Sequence, residues 1–312
     1  MIPYFGEILS LGVAVSWTTT ALASEVATRH LGVVVANVWR MMFAAVCTAL
    51  LCWFTMGDAL PAYASLPTWG WLLLSGVVGY FFGDWCLFNS YLTIGSRYGQ
   101  LFMTLAPMFA ALAAWVSIGQ VLSWGSMVAM VVTLAGIFIS ILSRGGSHGV
   151  SVSLPLKGIL FGIGAGMGQG VGLVLSKIGL DSYEADVPSA LLPHVVNTLP
   201  FSANFIRCIA GLLCFGLWLV VRRQSRQFVE SRHDSRGMLM LVVAVVFGPF
   251  LGVGFSLMAV QYTAAGIAST LMATTPIMIL LPSRLLFHQP ITPKAVVGAV
   301  VSVLGVSLFF LL

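Results

Sequence analysis

Ten separate stretches of this sequence are each long and apolar enough to cross a bilayer, at about residues 7–27, 32–56, 68–91, 98–118, 121–142, 157–179, 201–221, 238–261, 264–287 and 292–312. A spanning helix needs about 20 largely apolar residues. The chain has 312 residues, of which 59% are hydrophobic and 7% charged, with a mean hydropathy of +1.02. A soluble globule carries about a quarter charged residues, so that class is excluded. Spans of a β-barrel are short segments of alternating polarity, and the sequence has none. The expectation is an all-α integral membrane protein with ten transmembrane helices.

The spans are not independent. Residues 91–142 and 260–311 align without a gap, bringing Met103 onto Met272, Pro107 onto Pro276, Gln120 onto Gln289 and Gly136 onto Gly305. Both copies share one plan: an apolar helix with a proline at its middle, a polar turn at Gln, then a second apolar helix. An A-N-x-x-R echo, Ala36-Asn37-Val38-Trp39-Arg40 against Ala203-Asn204-Phe205-Ile206-Arg207, extends the duplication towards the start of each half. Five helices separate equivalent positions, so the two copies insert with opposite orientation, as in many secondary transporters. Ala21-Leu22-Ala23 imitates a signal-peptide cleavage site, but no basic segment precedes it. Removing that segment would also leave the first repeat one helix short.

The duplicated plan resembles the repeat of the EamA family in the drug/metabolite transporter superfamily. Tyr262, Thr263, Ala265, Ala268, Pro276 and Gly305 carry the likeness. The family's turn Glu is replaced by Gln120 and Gln289. The resemblance implies two inverted five-helix EamA-type repeats, residues 1–145 and 156–312, forming a permease or exporter. Such a protein moves a small organic metabolite, such as an amino acid or related solute, by alternating access, without enzymatic activity or cofactor. The family's motifs are helix-packing motifs and name no substrate. A membrane-embedded enzyme, or a channel or scaffold, is the alternative.

The basic side chains gather on one set of loops and helix ends: Arg29, Arg97, Arg144, Lys157, Arg222, Arg223, Arg226, Arg232, Arg236, Arg284 and Lys294. Acids mark the other set: Glu7, Asp58, Asp181, Glu184 and Asp186. By the positive-inside rule the basic set, with the loop 222–237, is cytoplasmic, and both termini lie outside the plasma (inner) membrane. Many relatives carry the opposite bias, so the charges of this chain and the resemblance disagree. The run Arg222–Arg236 is either a solvated loop that sets topology or a site for anionic lipid headgroups. Nothing suggests nucleic acid, and a monomer is expected. The five cysteines (Cys47, Cys52, Cys86, Cys208, Cys214) lie in apolar helices without metal-ligand spacing and read as small buried residues.

The few polar groups at membrane depth are the candidate site, because each is costly there unless it faces a cavity or a partner. Trp17 interrupts a stripe of small residues on the first helix; it is either a cavity wall or a packing Trp. Glu25 and Arg40 are expected to form an ion pair, structural or gating. Tyr80, Asp84 and Tyr91 share one face of the third helix, whereas the corresponding row of the second repeat is Pro249, Val253 and Val260. Asp84, with no basic partner on its own helix, is expected to face a watery cavity. There it would bind a substrate amine, carry a coupling proton or play a structural part. Gln100 and Thr104 on the fourth helix, and Thr270 and Thr274 on the ninth, join the set of substrate-binding candidates. Pro107 and Pro276 would each free a backbone carbonyl in mid-membrane, as hinge or static kink. Glycines at 158, 162, 164, 166, 168, 170 and 172 give the sixth helix two smooth ridges, with Gln169 its sizeable polar side chain in the place of Trp17. No metal site is expected. The aromatic residues Trp17, Tyr80, Tyr91 and Trp85 suggest a neutral or zwitterionic solute with an apolar part.

Overall fold

A computed structural model describes residues 4–57, 60–61, 63–119, 123–144, 150–152, 154–196, 198–252, 255–256, 259, 262–263, 265–288 and 291–311. Gln120, Gln289, Asp58, Val253 and Val260 lie outside them. In chain order the helices are α1 (Phe5–Leu31), α2 (Val33–Met56), α3 (Leu66–Ser75), a π-helical segment (Gly76–Gly83), α4 (Asp84–Met103), α5 (Ala106–Ile118), α6 (Trp124–Ile141) and α7 (Leu156–Asp186). They continue with α8 (Leu192–Val195), α9 (Leu199–Val221), α10 (Ser225–Ser231), α11 (Ser235–Val245), a second π-helical segment (Val246–Gly252), α12 (Ala265–Met272), α13 (Thr275–Met278), α14 (Leu280–Phe287) and α15 (Pro293–Leu311).

Two features qualify the expected all-α plan without overturning it. A small antiparallel ladder, β1 (Leu142–Arg144) with β2 (Val150–Val152), joins the two halves, so the chain is not purely helical. Six helical stretches among the described residues are long and apolar enough to span a bilayer: Phe5–Leu31, Val33–Thr55, Leu66–Met103, Trp124–Ile141, Leu156–Asp186 and Leu199–Val221. Four apolar helices are shorter: Ala106–Ser117, Ser235–Pro249, Thr275–Phe287 and Pro293–Leu308. The described residues of the apolar windows are largely helical, but several windows are broken inside. Gly95, at φ 83°, kinks α4, a conformation open to glycine because it has no Cβ.

The prolines expected in mid-helix stand at helix starts. Two-residue breaks at Thr104–Leu105 and Ala273–Thr274 precede α5 and α13, and Pro107 and Pro276 sit in the first turns that follow. There a missing N–H has no carbonyl to leave unpaired. Thr104 and Thr274 each donate to the carbonyl three residues back, Leu101 and Leu271, at 2.6 Å.

The duplication is visible in the packing. The two π-helical segments end at equivalent glycines, Gly83 and Gly252, and the second contains Pro249 where the first has Tyr80. α1 packs on α11, the second π segment and α12, whereas α7 packs on α3, the first π segment, α4 and α5. Each repeat's opening helix thus lies against the other repeat. α6 and α15 run antiparallel with their glycines interlocked. A Cβ on Gly136 would lie 2.3 Å from the Ser302 nitrogen, and one on Gly305 would lie 2.4 Å from the Thr133 nitrogen. Thr133 and Ser302 are themselves repeat equivalents, so the contact exchanges under a two-fold relation, as in an isologous interface.

The glycine ridges of α7 have separate partners. Gly162, Gly166 and Gly170 meet Phe102, Leu105 and Ala106, while Gly164, Gly168 and Gly172 meet Cys86, Gly83 and Gly79. Backbone contact at Gly168 is so close that a Cβ would fall 2.5 Å from the Gly83 Cα. This brings Gln169 within reach of Asp84.

Candidate functional site

Asp84 opens α4 just beyond the π segment and is 3% exposed, so it does not face open water. Its Oδ2 accepts from Arg40 Nη2 of α2, and its Oδ1 accepts from Gln169 Nε2 at 2.8 Å. The same Gln169 nitrogen lies 3.3 Å from the Gly79 carbonyl. Widening of the backbone in a π turn exposes such carbonyls to side-chain donors and is frequent at functional sites. Pairing explains why the acid persists at this depth: an isolated charge in apolar surroundings is far costlier than one with a hydrogen-bonded counter-ion.

Glu25 and Arg40, expected to pair, do not. Arg40 belongs to Asp84. Glu25, with 0% exposure, pairs with Arg29 one turn along α1 at 2.6 Å and accepts from the Ser96 backbone N–H at 2.6 Å. Ser96 follows the Gly95 kink and starts a new run of helix whose first N–H groups lack carbonyl partners. Glu25 therefore caps a helix start from a neighbouring helix.

Above the acid stands Tyr80, whose hydroxyl donates to Asn204 Oδ1 of α9. The Arg207 guanidinium carbon is 4.4 Å from the centre of the Tyr80 ring, and that of Arg40 is 5.9 Å from it. Arg40 also lies 5.1 Å from the Phe88 ring. Arg40 Nε, Arg207 Nε and Asn37 Oδ1 are buried with no hydrogen-bond partner. The two A-N-x-x-R segments thus converge on one tyrosine, one from each repeat. Arg207, Asn204 and Asn37 were not among the expected site residues, although the echo at 36–40 and 203–207 was the signal that could have found them.

The other candidates are placed apart. Tyr91 is buried and stacks on Phe88 with ring centres 5.8 Å apart, and its hydroxyl accepts from Gln100 Nε2 at 2.7 Å. Trp17 is 39% exposed, and Gly252 packs so closely that its Cβ would meet the indole nitrogen at 2.7 Å. Gln169 faces Gly83 in the same way, so the two side chains hold equivalent positions. Thr104 is buried and Thr274 half-buried, both bonded to their own helices. Thr270 lies on α12, its side chain outside the described residues. A closed apolar seam, too tight to admit a water molecule, is lined by Ala44, Cys47, Thr48, Phe201, Val245 and Pro249 beside the cluster. Ala44 is one turn from Arg40, and Phe201 one turn from Asn204. Among the described residues no three His, Cys, Asp or Glu gather as metal ligands.

Comparison with known proteins agrees with the duplicated architecture. A solved structure titled "Crystal structure of protein" superposes with a TM-score of 0.60 at 14% identity, covering 98% of this chain and 96% of its own. That likeness concerns the fold. No curated protein matches in sequence. The sequence profile of the EamA-like transporter family matches residues 4–142 and again 156–311. With both halves matched in turn, this multi-pass membrane protein belongs to the EamA-like transporter family, whose members are membrane transporters of the drug/metabolite type.

Proposed function

We propose that the protein is a secondary transporter that carries a small organic metabolite, such as an amino acid or related solute, by alternating access between two inverted repeats. One observation supports this most. The buried polar cluster is assembled across the repeats: Arg40, Tyr80 and Asp84 come from the first, and Gln169, Asn204 and Arg207 from the second. A rocking of one repeat against the other would necessarily open or close it. The antiparallel, two-fold exchange between α6 and α15 supports the inverted reading, because repeat-equivalent helices pointing in opposite directions cross the bilayer in opposite senses. The π segments and the breaks at 104–105 and 273–274 offer places where helices can bend without losing further hydrogen bonds.

The protein works as a monomer in the plasma (inner) membrane with lipid around it, termini outside and the basic loop 222–237 in the cytoplasm. Vesicles reconstituted with the purified chain test the proposal. Accumulation or loss of a labelled metabolite that is recovered chemically unchanged is expected. Conversion of the metabolite, or flux equal to that of protein-free vesicles across a broad metabolite panel, overturns it.

A further inference from the structure

Charge does not balance in the buried cluster. Arg40 and Arg207 bring two positive charges, and Asp84 is the carboxylate that faces them. Among the described residues no carboxylate forms an ion pair with Arg207. Its guanidinium rests on the Tyr80 ring, with Nε sealed from solvent and unpartnered. Arg40 also keeps one unpartnered nitrogen, although another of its nitrogens binds Asp84. Desolvated cations of this kind require compensation, and a planar guanidinium offers paired donors that match a carboxylate.

The acid, in contrast, is already occupied. Both Asp84 oxygens are taken, one by Arg40 and the other by Gln169, and two guanidiniums would repel an incoming ammonium. A single surplus positive charge fits a monoanion; a dianion would leave the site negative in apolar surroundings. The adjoining seam is closed and bounded chiefly by apolar groups, Ala44, Phe201, Val245 and Pro249 among them. Parting of the repeats would expose those groups to an apolar tail.

We infer that the transported solute is held by a carboxylate group placed against Arg207 and the free edge of Arg40, with its apolar part against the Ala44–Phe201–Pro249 seam once the repeats part, and that no ammonium group is required. This deepens the transporter reading and rests on it. It also reverses the role expected for Asp84, which becomes the intramolecular counter-ion of Arg40 rather than the partner of a substrate amine.

Thermal unfolding of the purified full chain in detergent, at constant ionic strength, tests the inference with 3-phenylpropionate, butyrate, 3-phenylpropanamide, 2-phenylethylamine, phenylalanine and sodium chloride. A rise in unfolding temperature with a carboxylate reports binding to the folded state. The expected order is 3-phenylpropionate above butyrate, with phenylalanine no tighter than 3-phenylpropionate and no shift from amide, amine or chloride. In Arg207→Gln the carboxylate shift should fall at least tenfold in apparent affinity, while Arg207→Lys keeps part of it. The comparison among ligands in the unaltered protein does not depend on either variant folding. Equal shifts from the amide, the amine or chloride, or no shift from either carboxylate, overturn the inference. Metabolite flux in vesicles that carboxylates neither share nor inhibit would sink the carboxylate site and spare the transporter; carboxylate binding without any flux would do the reverse.

Discussion

Asp84 and Arg40, forty-four positions apart in the chain, form an ion pair between α2 and the start of α4, with their side chains 4% and 14% exposed. Removing one partner leaves the other charged and dry, which costs about 3–5 kcal/mol for a buried pair. Asp84→Asn and Arg40→Gln should each lower the unfolding midpoint in detergent sharply. The double variant should recover more than half of the worse single loss, since neither charge is then stranded. A double variant no better than the worse single one would mean that the two side chains do not depend on each other.

Glu25 makes a different demand. Its carboxylate holds the Ser96 N–H and Arg29, and charge-assisted caps contribute about 1–2 kcal/mol. Glu25→Gln should cost roughly that amount, and Glu25→Ala more. Reversing the charges of Glu25 and Arg40 together should rescue nothing, because Arg40 is bound to Asp84. Recovery in that double reversal, read from the same unfolding curves, would contradict the geometry.

The sequence displayed periodic and repeated features well and partner choices poorly. Apolar windows marked the helices because a bilayer demands length and hydrophobicity, and the Gly136/Gly305 identity marked an interlocked contact. Tyr80, Asp84 and Gln169 were singled out because polar groups at that depth are costly wherever they stand. Which cation meets Asp84 depends on how α2 lies against α4, and no spacing within one helix encodes that. The proline positions were found, but a proline in the middle of an apolar run and one at the start of a new helix look identical until the two-residue break before it is seen. Arg207 was passed over because it lies in the second repeat, where the acid's equivalent position holds Val253.

Interlocked glycines carry an expectation that follows from the repeat. Gly136 and Gly305 sit within 2.3 Å and 2.4 Å of opposing backbone nitrogens, measured from an added Cβ, so Gly→Ala at either should push α6 and α15 apart. Overpacking of this kind costs about 1–3 kcal/mol, and the two losses should be similar because the contacts are equivalent. Gly12→Ala and Gly216→Ala, where nothing lies within 4 Å, should be neutral or slightly stabilising. Midpoints from parallel detergent unfolding decide it, and equal effects at all four positions would exclude the interlock.

Asp234 caps α11 by accepting from the Gly237 N–H at 2.9 Å. That backbone hydrogen bond, joined by His30 Nδ1 at 2.9 Å, holds its carboxyl below the usual carboxylate range. A lowered pKa means that the folded state prefers the ionised form. The stabilisation is therefore full above the ordinary carboxylate range and fades as pH falls through the lowered value. Asp234→Asn, which retains a capping oxygen, should flatten this part of the acid limb of a stability–pH profile. An unchanged acid limb would show that the cap carries no charge-dependent stability.

The last expectation concerns which way the chain faces. Two ties place loops together: His30 and Leu31 at the end of α1 bond Asp234 and Gln227, while Asp186 at the end of α7 accepts from Ser65 before α3. The basic run 222–236 thus lies at the end of the molecule where α1 closes, and the turn before α3 lies beside the acidic end of α7. Lys177, four residues before Asp181 on α7, is a cation on the acidic side that the loop comparison passed over. It pairs with Asp181, so the asymmetry remains large. Basic loops stay in the cytoplasm, so Asp181 is expected outside and Arg226 inside. In a background with the five native cysteines replaced, Asp181→Cys should react with an impermeant thiol reagent in intact cells, and Arg226→Cys should react only after lysis. Both positions are exposed, with side chains 52% accessible at Asp181 and 89% at Arg226, so failure to label reflects the membrane rather than burial. Labelling of Arg226→Cys in intact cells with protection of Asp181→Cys would invert the orientation and leave the family's opposite bias as the guide.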